Sequence, residues 1–122
     1  MTPKEFKRIA EQALQALPEE FKPYVERCLL KFERRPDPEL LRELEMPEDD
    51  DLFGLYEGPS LTEQHLDDPP DLPPSITLFY EPLLQACDSE EDLAREIQTT
   101  VLHEIGHHFG LDEDRLEELG FG

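Results

Sequence analysis

The chain has 122 residues, enough for one modest core and too few for two, so a single domain over residues 1–122 is expected. Its hydrophobic content of 37% is low but globular, and its formal net charge of −20 argues against nucleic acid and anionic membrane as partners. Phosphate binding needs clustered Lys and Arg, and this chain has an acid excess that suits neutral or basic partners instead. The sequence carries no charged–apolar–cleavage-site pattern at its start and no apolar run of bilayer length, which predicts a cytoplasmic protein with no membrane association. Two cysteines make no disulfide framework, and reduced thiols are expected: Cys28 as a small core residue, Cys87 partly exposed.

In chain order, the first predicted element is a helix over Pro3–Leu17. Thr2 is a suitable N-cap, Pro3 fits the first helical position, and Phe6, Ile9, Ala10, Ala13, Leu14 and Leu17 make one apolar stripe. Leu17–Phe21, with Pro18 inside it, reads as the helix end and a turn. Val25–Arg34 fits two periods. Val25, Cys28, Leu29 and Phe32 suit a helix, while Cys28, Leu30 and Phe32 alternate as a strand would. Asp37 can open a short helix over Pro38–Leu44, and Met46–Asp51 is an acidic loop. Leu52–Tyr56 reads as a short strand closed by Gly58-Pro59. Ser60–Pro74 reads as an extended Pro- and Asp-rich loop, with His65 a solvent-exposed histidine in it. Ile76–Tyr80, β-branched and aromatic, is the best strand pattern in the chain, and Pro82 is expected to stop it.

The last segment carries the chemistry. Ser89-Glu-Glu-Asp92 resembles a capping box, with three acids where the helix dipole favours negative charge. At about 100° per residue, Leu93, Ala94, Ile97, Val101, Leu102, Ile105 and Phe109 share one broad arc. His103 and His107 lie opposite, one helical turn apart, with Glu104 at the border. His-Glu-x-x-His on a helix is the pattern of two imidazoles holding one zinc ion, with the glutamate placed as general base. Gly110 falls where the helix should stop, in a position suited to the left-handed conformation. Were the helix to continue, residue 113 would lie about 15 Å along the axis from His103, too far to share an ion. Beyond the turn stand Asp112, Glu113 and Asp114, all hard oxygen donors. Asp112 fits the N-cap of a closing helix over Glu113–Leu119, which occupies its carboxylate and leaves Glu113 as the preferred third ligand. Asp112 and Asp114 stay open as alternatives, because spacing does not fix side-chain direction.

His103-Glu104-x-x-His107-x-x-Gly110-x-x-Glu113 resembles the extended zinc signature of the metzincins, with an acid in place of the third histidine. No methionine comes after it that could form a Met-turn, since Met1 and Met46 both precede the motif. More closely, His-Glu-Ile-Gly-His-His-Phe-Gly followed by acids resembles the small zincin-like metallopeptidases of bacteria, the minimal zincins. Leu52-Phe-Gly-Leu-Tyr-Glu-Gly58 and Ile76-Thr-Leu-Phe-Tyr-Glu-Pro82 resemble that family too, so the likeness covers essentially the whole chain. The resemblance implies an α+β fold in which a small mixed sheet packs against the N-terminal helix and the zinc helix. It favours a strand over Val25–Arg34, and implies that Glu113 stands where aspartate is common. It also implies a substrate-binding edge strand, for which Ile76, Thr77, Leu78, Phe79, Tyr80 and Glu81 are the candidates; a plain core strand is the competing reading.

The implied activity is peptide-bond hydrolysis of a peptide or protein substrate, with one zinc ion as the cofactor. Zinc would be held through Nε2 of His103 and of His107, and by Glu113; Glu104 would take the proton from the attacking water and pass it to the leaving amine. Tyr80 and His108 are candidate oxyanion or outer-sphere donors. A zinc-stapled binding module without turnover is the alternative, disfavoured because structural zinc normally takes four protein ligands. The oligomeric state is not legible from the sequence, which is compatible with a monomer.

Overall fold

The structure, a computed structural model, describes residues 1–45, 52–58 and 74–121, and of residues 107–109 the backbone only. The expected acidic loop over Met46–Asp51, most of the Ser60–Pro74 segment, and His65 lie outside the described residues.

Helix α1 spans Pro3–Gln15, begins as its sequence dictates and stops slightly early. The Thr2 hydroxyl accepts the Glu5 amide at 3.2 Å, and Pro3, lacking an N–H, sits where none is needed. Phe6, Ile9, Ala10, Ala13, Leu14 and Leu17 are all buried, as the stripe requires, although Leu17 lies beyond the helix end. The ambiguous stretch resolves into both of its periods in succession. Lys22–Glu26 forms a short helix, α2, opened by Pro23, and Leu29–Glu33 forms strand β1. Val25 is therefore helical, and Leu30 and Phe32 turn inward from the strand. Helix α3 (Pro38–Glu43) is capped by Asp37, whose carboxylate accepts the Glu39 amide.

Among the described residues the sheet has three strands, β1, β2 (Gly54–Glu57) and β3 (Ser75–Phe79), in the order β1-β3-β2. β1 runs parallel to β3, with Phe32 opposite Leu78, and β2 runs antiparallel to it, with Tyr56 opposite Ile76. This corrects the reading of residues 76–81 as an edge. Ile76, Thr77, Leu78 and Phe79 belong to the central strand, hydrogen-bonded to a neighbour on each side and buried along its whole length. The alternation Ser75-Ile76-Thr77-Leu78 resembles that of a strand with one wet face, yet Ser75 and Thr77 are buried along with the apolar residues between them, as a strand covered on both faces requires. Tyr80 and Glu81 are not strand residues at all: they open helix α4 (Tyr80–Ala86). Pro82, expected to stop the strand, sits in the first turn of that helix, where its missing N–H costs nothing.

Helix α5 (Glu90–Phe109) is the longest element. The Ser89 hydroxyl accepts the Asp92 amide at 3.1 Å, and Gly110 ends the helix with φ 69° in the left-handed region. Leu93, Ile97, Val101, Leu102 and Ile105 are fully buried, each contributing about 1.5–3 kcal/mol of apolar transfer free energy. They pack against α1, the sheet and α4 in one cluster that also holds Phe6, Ile76, Leu78 and Leu83. The Gln98 side-chain amide donates to the Ala13 carbonyl at 2.7 Å, which fixes α5 along α1. Helix α6 (Glu113–Glu118) comes next and buries Leu116 in the same cluster. The mixed α+β architecture expected from the sequence is thus the observed one. Among the described residues, no helix is long and apolar enough to cross a membrane.

Candidate metal and catalytic site

The burial of one α5 face determines what the other face presents. With Leu102 and Ile105 in the core, His103 is exposed and Glu104 half-buried at the border. Glu104 is not loose there. Its Oε2 accepts the main-chain N–H of Tyr56 at 3.1 Å, tying the helix to strand β2. The sheet register explains why that amide is available: the Phe79 amide donates to the Phe53 carbonyl, so residues 53, 55 and 57 of the antiparallel pair face β3. The groups of Gly54 and Tyr56 point the other way, to the outer side of β2. A carboxylate has two oxygens, and this bond engages one of them.

Close approach of α5 to β2 depends on Gly54. A Cβ there would stand 2.8 Å from Thr100 Cγ2 and 3.3 Å from the Thr77 carbonyl oxygen. Thr100 lies one helical turn before Glu104, so the bare backbone at Gly54 and the Glu104–Tyr56 bond belong to one contact line.

The acids after the turn are arranged as the spacing suggests. Asp112 caps α6, its Oδ1 accepting the Asp114 amide at 3.0 Å, and Glu113 and Asp114 stand exposed in the first turn. Arg115 anchors this helix from outside by pairing with Glu20 at 3.1 Å and with Glu118 at 3.4 Å. Negative partners hold its guanidinium charged even more firmly than usual, the Glu20 hydrogen bond first among them.

His103 itself makes a contact that the sequence did not suggest. Its Nε2 lies 2.8 Å from the main-chain carbonyl oxygen of Phe121. The side chains of His107 and His108 are outside the description, so their expected roles carry no geometry here. Tyr80, a candidate oxyanion donor, packs its ring 5.9 Å from that of Phe6 on α1. Glu81 closes onto Arg34 and Arg35 at the end of β1, away from any substrate-edge role.

A family model for zincin-like metallopeptidases matches residues 25–122. The chain belongs to the zincin-like metallopeptidase family. Among solved structures, this zincin-like chain is similar to a conserved hypothetical protein from T. thermophilus. The two are 26% identical, the likeness covers 97% of this chain and 96% of that one, and the TM-score is 0.55. Among curated proteins, none matches.

For a zincin-like protein the question is whether the residues suit zinc. By donor chemistry they do: two histidines at i and i+4 on one helix, then three carboxylates, Asp112, Glu113 and Asp114, soon after a left-handed turn at Gly110. Among the described residues, no three His, Cys, Asp or Glu converge on one point, a set that does not include the His107 side chain.

Sequence reasoning missed two participants, the Tyr56 amide and the Phe121 carbonyl. Both act through main-chain atoms, so residue type gives no direct signal. The left-handed Gly120 before Phe121 was the one local clue.

Proposed function

We propose that this zincin-like protein is a zinc-dependent peptidase. The reading rests above all on one observation: Glu104, the candidate general base, accepts a main-chain hydrogen bond from β2, which is an edge strand of the sheet among the described residues. An extended peptide can add to such an edge through main-chain hydrogen bonds, which brings its scissile bond beside the motif without demanding a particular side chain. The strand for this role is β2.

His103 and His107 would hold the metal together with one acid after the turn, Glu113 first, with Asp112 and Asp114 as alternatives. Asp112 is the weakest of the three because its carboxylate already caps α6. Bound zinc would supply Lewis acidity, lowering the pKa of water toward neutrality and polarising a carbonyl. Glu104 accepts the proton of the attacking water on one carboxylate oxygen while the Tyr56 amide steadies the other. It then delivers that proton to the nitrogen of the leaving amine.

Charge supports neutral or basic peptides as substrates. Residues 43–122, which furnish β2, α5 and α6, hold 23 of the 31 acids and two of the 11 basic residues. One of those two, Arg115, is already paired. A field of one sign over a cleft concentrates oppositely charged ligands and repels its own kind.

The test is cleavage of a peptide library by the zinc-loaded protein beside Glu104→Gln, which keeps the shape and loses the base. Cleavage by the wild type, reduced about 100-fold or more in the variant, is the expected result. Equal cleavage by both would defeat the role of Glu104. No cleavage by either, with zinc bound, would favour a zinc-stabilised module that binds peptides without cutting them.

A further inference from the structure

The turn after α6 is closed by two hydrogen bonds of the kind that cap helices tightly. The Gly120 amide donates to the Glu117 carbonyl at 3.0 Å and the Phe121 amide to the Leu116 carbonyl at 2.8 Å. Gly120 sits at φ 88°, and Phe121 packs on the core cluster that contains Leu116. A left-handed glycine, this hydrogen-bond pair and an apolar contact across the turn make a Schellman closure. It holds Phe121 in place, and the carbonyl oxygen of that residue meets His103 Nε2.

A carbonyl oxygen only accepts, so Nε2 must carry the proton in this contact, and in a neutral imidazole the lone pair then resides on Nδ1. A metal needs a lone pair. Nε2 can therefore serve the Phe121 carbonyl or a metal ion, but not both. Nδ1 lies beside the carbon that joins the ring to the helix, whereas Nε2 is the outermost ring nitrogen. Two imidazoles one turn apart reach a common ion most readily through their outer nitrogens.

We propose that the Gly120–Phe121 turn competes with zinc for His103, so that metal loading opens the turn and the closed turn weakens metal binding. The inference rests on the zinc reading above and adds to it a coupling between the site and the segment after α6. Coupling of this kind is reciprocal: whatever favours the open turn must favour the metal by the same factor. With one hydrogen bond at stake, the factor is about two- to tenfold in zinc affinity.

The experiment is zinc affinity, by competition with a chromogenic chelator, for the full chain and two variants. Gly120→Val puts a β-branched side chain at a left-handed position where nothing lies within 4 Å, so it strains the turn without a clash. Gly120→Asn tolerates that conformation and keeps the turn. The expected result is about two- to tenfold tighter zinc binding by Gly120→Val and wild-type affinity for Gly120→Asn. Hydrogen exchange of the wild type gives a second readout that needs no variant to fold: zinc should accelerate exchange at the Gly120 and Phe121 amides. Equal or weaker binding by Gly120→Val, or slower exchange at those amides with zinc, would overturn the competition and make the carbonyl an orienting partner for ligation through Nδ1. Zinc bound with the same affinity by all three proteins defeats this inference alone. No zinc uptake by any of them defeats the peptidase reading, and this inference with it.

Discussion

Glu81 shows how a single side chain can hold two elements in place. Its carboxylate takes the guanidinium groups of Arg34 and Arg35, and its amide donates to the Arg34 carbonyl at 3.1 Å, so the end of β1 is fastened to the start of α4. The hydrogen bond from Arg34 is the main cause that holds the Glu81 carboxyl below the ordinary carboxylate range. A carboxyl with a depressed folded pKa stabilises the fold above its unfolded value, and that contribution disappears as pH falls through the folded value. Urea unfolding followed from pH 7 to pH 3 should therefore show an acid limb below about pH 4.5 that is shallower in Glu81→Gln than in the wild type. Identical limbs would mean that the pair contributes nothing measurable, as many exposed pairs do. At the same scale, burial raises both cysteine pKa values, with nearby acids adding to the effect at Cys87. Both thiols are then protonated at neutral pH and poorly reactive.

Among the elements, α5 and β2 meet at Glu104, the general base of the proposed reaction. Their close approach predicts that Gly54→Ala costs about 1–3 kcal/mol, because the new methyl group meets the stiff β-branched Thr100 and the Thr77 backbone. Thr100→Ala removes the nearer obstacle, so the double variant should recover part of that loss in a thermodynamic cycle. Strict additivity would refute the contact. How legible each element was depended on how local its signals were. Helix α5 could be read from Ser89, the apolar arc and Gly110, all within one stretch of chain. α1 and the caps at Asp37 and Asp112 were legible for the same reason. The place of β3 was not, because edge or centre depends on which distant segments pair with it, and neither β1 nor β2 announces its partner. Pro82 misled because a proline ends a strand or opens a helix according to the residues after it. Val25 to Cys28 could not be divided because its apolar spacing serves both periods.

For the whole molecule, the sequence carried the architecture and the identity of the motif, while the supports of that motif had to come from the fold. His103, Glu104 and His107 were visible as residue types at a fixed spacing. The strand edge beside Glu104 and the carbonyl against His103 depend on segments 48 and 18 residues away. Anomalous diffraction at the zinc edge, from crystals of the zinc-loaded protein, tests the metal assignment most directly. One zinc peak is expected, ligated by His103, His107 and one carboxylate among residues 112–114, with Glu104 beside the ion but outside its coordination. A zinc ion enclosed by four protein ligands, or one bound away from α5, would contradict that assignment.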